Sequence, residues 1–155
     1  MEAAPSHFRY APDPRHPGWM LWELADDGRF NQVYGPLGVR AEGASVRVRM
    51  WPERRHSNLS DIVHGGALLG FADMALFAGA HGLGIEFTGP AATLDLSMRF
   101  VAGAPTDGGP VDAVLELLRE TGRLVFLRGV MMQGDAVITD FTGTIRKPSR
   151  PRAAP

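Results

Sequence analysis

Val46, Val48 and Met50 alternate with Arg47 and Arg49, and that period of two predicts a strand with one buried face over residues 44–51, ended by Pro52. The cleanest alternation lies further on, where Thr93, Asp95, Ser97 and Arg99 interleave with Leu94, Leu96, Met98 and Phe100. Residues 111–120, 124–133 and 136–146 read as three more strands, with Gly122 and Gly134 supplying the turns between them. Residues 30–41 read as a first strand broken by Gly35-Pro36, and residues 19–25 as a short helix. Between these groups the pattern changes. From His64 to about Gly82, Leu68, Phe71, Met74, Leu76, Phe77 and the intervening alanines cover every side of a helical wheel. A helix apolar all round is one buried all round.

The order is therefore two strands, one long helix, then four antiparallel strands. One central helix with about six strands implies an α+β fold whose sheet curls around the helix. Prolines crowd both ends, at Pro5, Pro12, Pro14 and Pro17 and again at Pro148, Pro151 and Pro155. Residues 1–18 are thus expected to be a mobile extension, residues 19–146 a single domain and residues 147–155 a disordered tail. Trp19 and Trp22 are expected to cover one end of the core.

Composition narrows the function. Apolar residues make up 45% and charged residues 21%, an ordinary globular balance, and 16 Lys+Arg against 17 Asp+Glu leave a net charge of -1. Nothing in that balance favours nucleic acid or an anionic membrane as partner. Asp73 interrupts the longest apolar stretch, which is too short to span a bilayer, so a cytoplasmic protein is expected. The chain has no cysteine, which excludes disulfides and thiolate chemistry, and its five histidines show no metal-ligand spacing. No metal and no separate cofactor are expected.

Asp73 carries the most information. It stands mid-helix with no other acidic group nearby, and burying an unpaired carboxylate costs several kcal/mol, so such a group is paired, protonated or functional. A helix aspartate that simply reaches solvent is the plainer alternative. His64-Gly65-Gly66 opens the helix, where free N–H groups can hold an anion or a polarised carbonyl and glycines allow close approach. Taken alone, that triplet is also a flexible helix entry, and Asn58 in the preceding loop is also an ordinary turn residue.

Taken in order, Asn58-x5-His64-Gly65-Gly66-x6-Asp73 followed by Thr93-Leu94-Asp95-Leu96-Ser97-Met98-Arg99-Phe100 resembles the hotdog-fold acyl-CoA thioesterases of the phenylacetate-pathway (PaaI-like) type. The resemblance covers about residues 30–146 and implies the hotdog fold, a long helix wrapped by a curved antiparallel sheet. It implies that the Gly65 amide and the Asn58 side chain donate to the thioester carbonyl and that Asp73 either activates water, with Thr93 assisting, or acts as a nucleophile. His64 would brace the loop. Gly66 and the turn carrying Arg119, Gly122 and Arg123 would bind coenzyme A, which is part of the substrate. The chain departs from many relatives in lacking a glycine just before His64.

Gly65 and Asp73 are eight residues apart, roughly 12 Å along a helix, too far for both to act on one carbonyl. Two antiparallel helices related by a twofold axis would bring them together, so a homodimer with shared active sites is expected, and the resemblance adds dimers paired into tetramers. Two other readings compete with the thioesterase: a non-catalytic acyl-CoA binding protein, and a hotdog hydratase or dehydratase.

Overall fold

The computed structural model describes residues 8–26 and 28–148. Eight strands form one antiparallel sheet: β1 (Phe8–Pro12), β2 (Met20–Leu24), β3 (Leu37–Glu42), β4 (Ser45–Met50), β5 (Ala92–Phe100), β6 (Val111–Glu120), β7 (Leu124–Gln133) and β8 (Ala136–Arg146). Their spatial order is β1-β2-β3-β4-β6-β7-β8-β5, which leaves β5 on one edge. The one α-helix among the described residues, α1 (Gly65–Gly82), packs on the inner face against β3, β4, β5, β6 and β8. This is the α+β arrangement expected, with eight strands in place of six.

Burial follows the alternation where the pattern is clear. Val46, Val48 and Met50 point inward and are fully buried, while Arg47 and Arg49 face outward and bridge to Glu42 and Asp112. Arg47, with Arg40, holds the Glu42 carboxyl below its ordinary value. Under the helix the sheet is cut away: a side chain at Gly143 would collide with Leu76, so the bare strand lets α1 approach closely.

The N-terminal expectations need correction. Residues 8–12 are not a mobile extension but strand β1, and residues 20–24 are not a helix but strand β2, paired with β1 and β3. A five-residue run with four apolar positions fits either period, and the open edge of β3 decides it by offering unpaired backbone groups. Phe8 stacks on Trp22 at 4.2 Å, and Tyr10 meets the edge of His81 at the far end of α1. Trp22 therefore covers one end of the core, whereas Trp19 is buried on the outer face between the guanidinium groups of Arg40 and Arg49, at 4.5 and 4.3 Å. The expected tail lies mostly outside the described residues; Lys147 still follows β8, donating its amide to Arg123.

Two further elements differ. Residues 30–41 split at Gly35, whose φ of +64 breaks the strand, and Phe30–Tyr34 form a 3-10 helix instead. Gly134 makes its turn with φ +58, as expected, but the turn before β7 is built by Thr121, whose Oγ1 accepts from the Leu124 amide at 2.9 Å. Gly122 has an ordinary φ. Helix α1 is also not buried all round, since Gly66, Leu69, Asp73, Phe77 and His81 form a stripe less covered than the rest.

Thr139 is fully buried on β8 and its hydroxyl has no hydrogen-bond partner among the described residues. Two substitutions should move stability in opposite directions. Leu76→Ala, which empties the seat over Gly143, is expected to cost about 3 kcal/mol. Thr139→Val, near-isosteric and without the hydroxyl, is expected to be neutral or to stabilise by up to about 1 kcal/mol. Urea midpoints of the two variants against the parent measure both.

Candidate active site

The loop before α1 is held by its own polar side chains. Asn58 Oδ1 accepts from the Ser60 and Ile62 amides at 2.9 and 3.2 Å, closing an Asx turn. That turn admits Asp61 at φ +56, where its carbonyl accepts from the amide and the hydroxyl of Thr106. With Oδ1 engaged, the exposed Asn58 side chain has only its NH2 group left to offer, and that group donates only.

His64 is the N-cap of α1. Its Nδ1 accepts from the Gly66 amide at 2.9 Å, and its carbonyl accepts from Ala67 and Leu68 at 2.8 and 3.0 Å. Of the four amides that a helix start leaves free, only that of Gly65 has no partner among the described residues. Gly66 gives its amide to His64, so its remaining asset is the lack of a side chain. The ring of Phe100 lies over Gly65 so closely that a Cβ there would be 3.2 Å from it.

Eight residues along the helix, Asp73 Oδ1 accepts a 2.5 Å hydrogen bond from Thr93 Oγ1 on β5. Strict alternation would put Thr93 outward with Asp95, Ser97 and Arg99, but a β-bulge between Thr93 and Asp95 changes the parity. Thr93 pairs with the buried Ile145 and Leu96 with Gly143 beneath the helix, so residues three apart both face inward. Asp73 is half-buried, and its Oδ2 has no protein partner among the described residues.

Gly65, Val63, Leu68, Phe100, Val101, Ala102 and Gly103 line an open apolar groove of about 440 Å3. Asp73 and Thr93 do not line it. One chain thus brings Asn58, His64 and Gly65 to one end of α1, and Asp73 with Thr93 to its middle, without joining the two. Arg119, Gly122 and Arg123 sit at the β6–β7 turn, near Arg146 at the end of β8. Those three arginines and Arg54 are the ones without an acidic partner among the described residues; the others pair across strands or within loops.

Two residues near the site escape a sequence reading. Tyr34 donates to the Ala67 carbonyl of α1 at 2.9 Å, and His56, 2% exposed, stacks on Tyr34. Both lie in segments whose partners are far along the chain, so no local spacing marks them.

The family model of the thioesterase superfamily matches residues 61–138, half of the chain. No curated protein matches. Among solved structures, conserved protein PA5202 from Pseudomonas aeruginosa is 22% identical with a TM-score of 0.63, over 78% of this chain and 94% of that one. A mutant of the phenylacetic acid degradation protein PaaI from Thermus thermophilus is 23% identical with a TM-score of 0.59, over 72% and 93%. Thioesterase superfamily member 2 of zebra fish is 19% identical with a TM-score of 0.61, over 80% and 90%. At these identities the likeness is one of fold.

The acceptor and the donors of the Asn58 side chain can be separated. Asn58→Asp keeps the acceptor that closes the turn and removes the donors, whereas Asn58→Ala removes both. Amide exchange at Ser60 and Ile62 is expected to stay at the parent rate in Asn58→Asp and to accelerate about fivefold in Asn58→Ala.

Proposed function

We propose that this chain, which belongs to the thioesterase superfamily and is a thioester hydrolase, cleaves acyl-coenzyme A with water activated by Asp73. The observation that carries this reading is the 2.5 Å bond from Thr93 to Asp73, which fixes one carboxylate oxygen and leaves the other for a water proton.

In this reading the carbonyl oxygen lies between the Gly65 amide and the Asn58 NH2 group, donors already in place for the charge that develops there. Water, held at Asp73 Oδ2 and the Thr93 oxygen, gives a proton to the carboxylate as its oxygen bonds to the carbonyl carbon. The tetrahedral oxyanion then collapses, the C–S bond breaks, and the proton held by Asp73 passes to the departing thiolate. A carboxylic acid and free coenzyme A leave. His64 contributes by capping α1 and so turning Gly65 outward.

The groove beside Gly65 suits an aryl or short to medium acyl group, in keeping with a PaaI-like type. Arg119 and Arg123, with no carboxylate partner among the described residues, suit the phosphates of coenzyme A, with Gly122 giving the turn room. Gly66 keeps the approach to the carbonyl open. No cofactor enters, since coenzyme A arrives with the substrate. No helix among the described residues is long and apolar enough to cross a membrane, and we place the reaction in the cytoplasm.

The two halves of the machinery meet, in this reading, across a homodimer. Strand β5 is an edge strand, and Leu94, Phe100 and Val101 on or beside it are more than half exposed. A second copy would cover them and the stripe of Leu69, Asp73 and Phe77, setting Gly65 of one chain against Asp73 of the other. Pairing of dimers into tetramers is compatible with this.

Two outcomes follow for thiol release from a panel of aryl and aliphatic acyl-CoAs. Asp73→Asn is expected to fold normally and lose at least about 10³-fold in kcat; equal activity would place the base elsewhere. Mixing Asp73→Asn with Asn58→Asp, each nearly inactive alone, is expected to restore about a quarter of the parent activity, because half of randomly formed dimers carry one intact site of two. No recovery after subunit exchange would exclude a site built from two chains.

A further inference from the structure

The first six residues of α1, Gly65 to Gly70, include three glycines. Each disfavours helix by about 1 kcal/mol relative to alanine, so the turn that must present the Gly65 amide is intrinsically the weakest of the helix. Something outside the helix has to hold it.

The holding group comes from 33 residues earlier. Tyr34, at the end of the 3-10 helix, donates its phenol to the Ala67 carbonyl at 2.9 Å. Gly70 admits the phenol: a Cβ there would clash with the Tyr34 oxygen and lie 3.1 Å from its Cζ. Tyr34 is itself seated by His56, whose ring lies parallel to it at 5.6 Å. His56 Nδ1 accepts from the Glu53 amide at 2.8 Å, so Nε2 carries the proton and donates to the Val33 carbonyl at 2.7 Å. The His56 carbonyl accepts from the His64 amide at 2.7 Å. The 3-10 helix, the Asn58 loop, the N-cap and the first turn of α1 are thereby tied through two buried rings.

We propose that Tyr34, seated by His56 and admitted by Gly70, is a positioning residue that holds the Gly65 amide and the Asn58 loop in register with Asp73. The inference rests on the roles assigned above to Gly65, Asn58 and Asp73. The phenol acts as a donor throughout the neutral range, its pKa pushed up to about 12 by burial and then by the negative charge of Asp73. Tyr34 does not line the groove and touches no reacting atom in this scheme; it acts through the helix.

Tyr34→Phe keeps the ring stack and deletes only the hydrogen bond. It is expected to lower kcat about tenfold with KM within twofold and the pH profile unchanged. Amide exchange over residues 58–67 should quicken by a similar factor while residues 72–80 exchange as in the parent. Gly70→Ala should reproduce the defect by displacing the phenol, and the two together should cost clearly less than the product of their separate effects. Parent-like kcat in Tyr34→Phe, unchanged exchange over 58–67, uniformly faster exchange along the whole helix, or fully multiplicative losses would each overturn the proposal. If the parent protein released no thiol from any acyl-CoA, the thioesterase reading would fall, while the exchange pattern of the two variants would still decide whether Tyr34 clamps the loop and the first turn.

Discussion

An 18-residue apolar helix can be kept from water here only by a sheet pressed close against it, and that contact sets every other distance in the molecule. It depends on side chains that are missing. Gly143 lies under Leu76 and Gly82 meets Val39 and Val46, where a methyl would clash, and Gly79 meets Leu115 and Val46, where a methyl would be tight. Shifting the helix would open this seam, so the packing that seats Leu76 also sets the heights of Gly65 and Asp73 over the sheet. The positions of Gly65 and Asp73 are thus a consequence of how the same helix packs on the sheet.

In the proposed mechanism the helix start sets stability against chemistry. A bare amide and room for a ligand call for glycine, and glycine is a poor helix former. His64 offsets part of that by capping the Gly66 amide, and the buried rings of His56 and Tyr34 tie the loop and the first turn to a distant segment. The strand that supplies Thr93 makes a similar compromise. Its bulge breaks the ladder at one point so that a hydroxyl and the apolar residues Leu96 and Met98 share one face.

Much of this is legible in the order of residues. The period of two in residues 45–50 and the apolar helix lead to the α+β arrangement, because burial of a repeating pattern has few solutions. Asp73 stands out because its charge is at odds with an apolar helix, and Asn58, His64 and Gly65 stand out only through their order and spacing relative to it. Residues 20–24 mislead because a five-residue run is too short to reveal its period, and residues 30–34 because a 3-10 turn mimics an interrupted strand. Alternation alone puts Thr93 on the wrong face, because a bulge leaves no mark in an alternating sequence.

By itself, then, the sequence determined the secondary structure of its long periodic segments, the burial of most of α1 and which polar groups are candidates for thioester chemistry. Those properties follow from local patterning and from the chemistry of single residues. Only the tertiary structure decided that β1 and β2 extend the sheet, that Thr93 reaches Asp73, that the Gly65 amide has no partner among the described residues, and that Tyr34, stacked on His56, bonds the first turn of α1. Each of these is a contact between segments distant in the chain, and its existence depends on how an edge, a bulge and a missing side chain happen to meet in space.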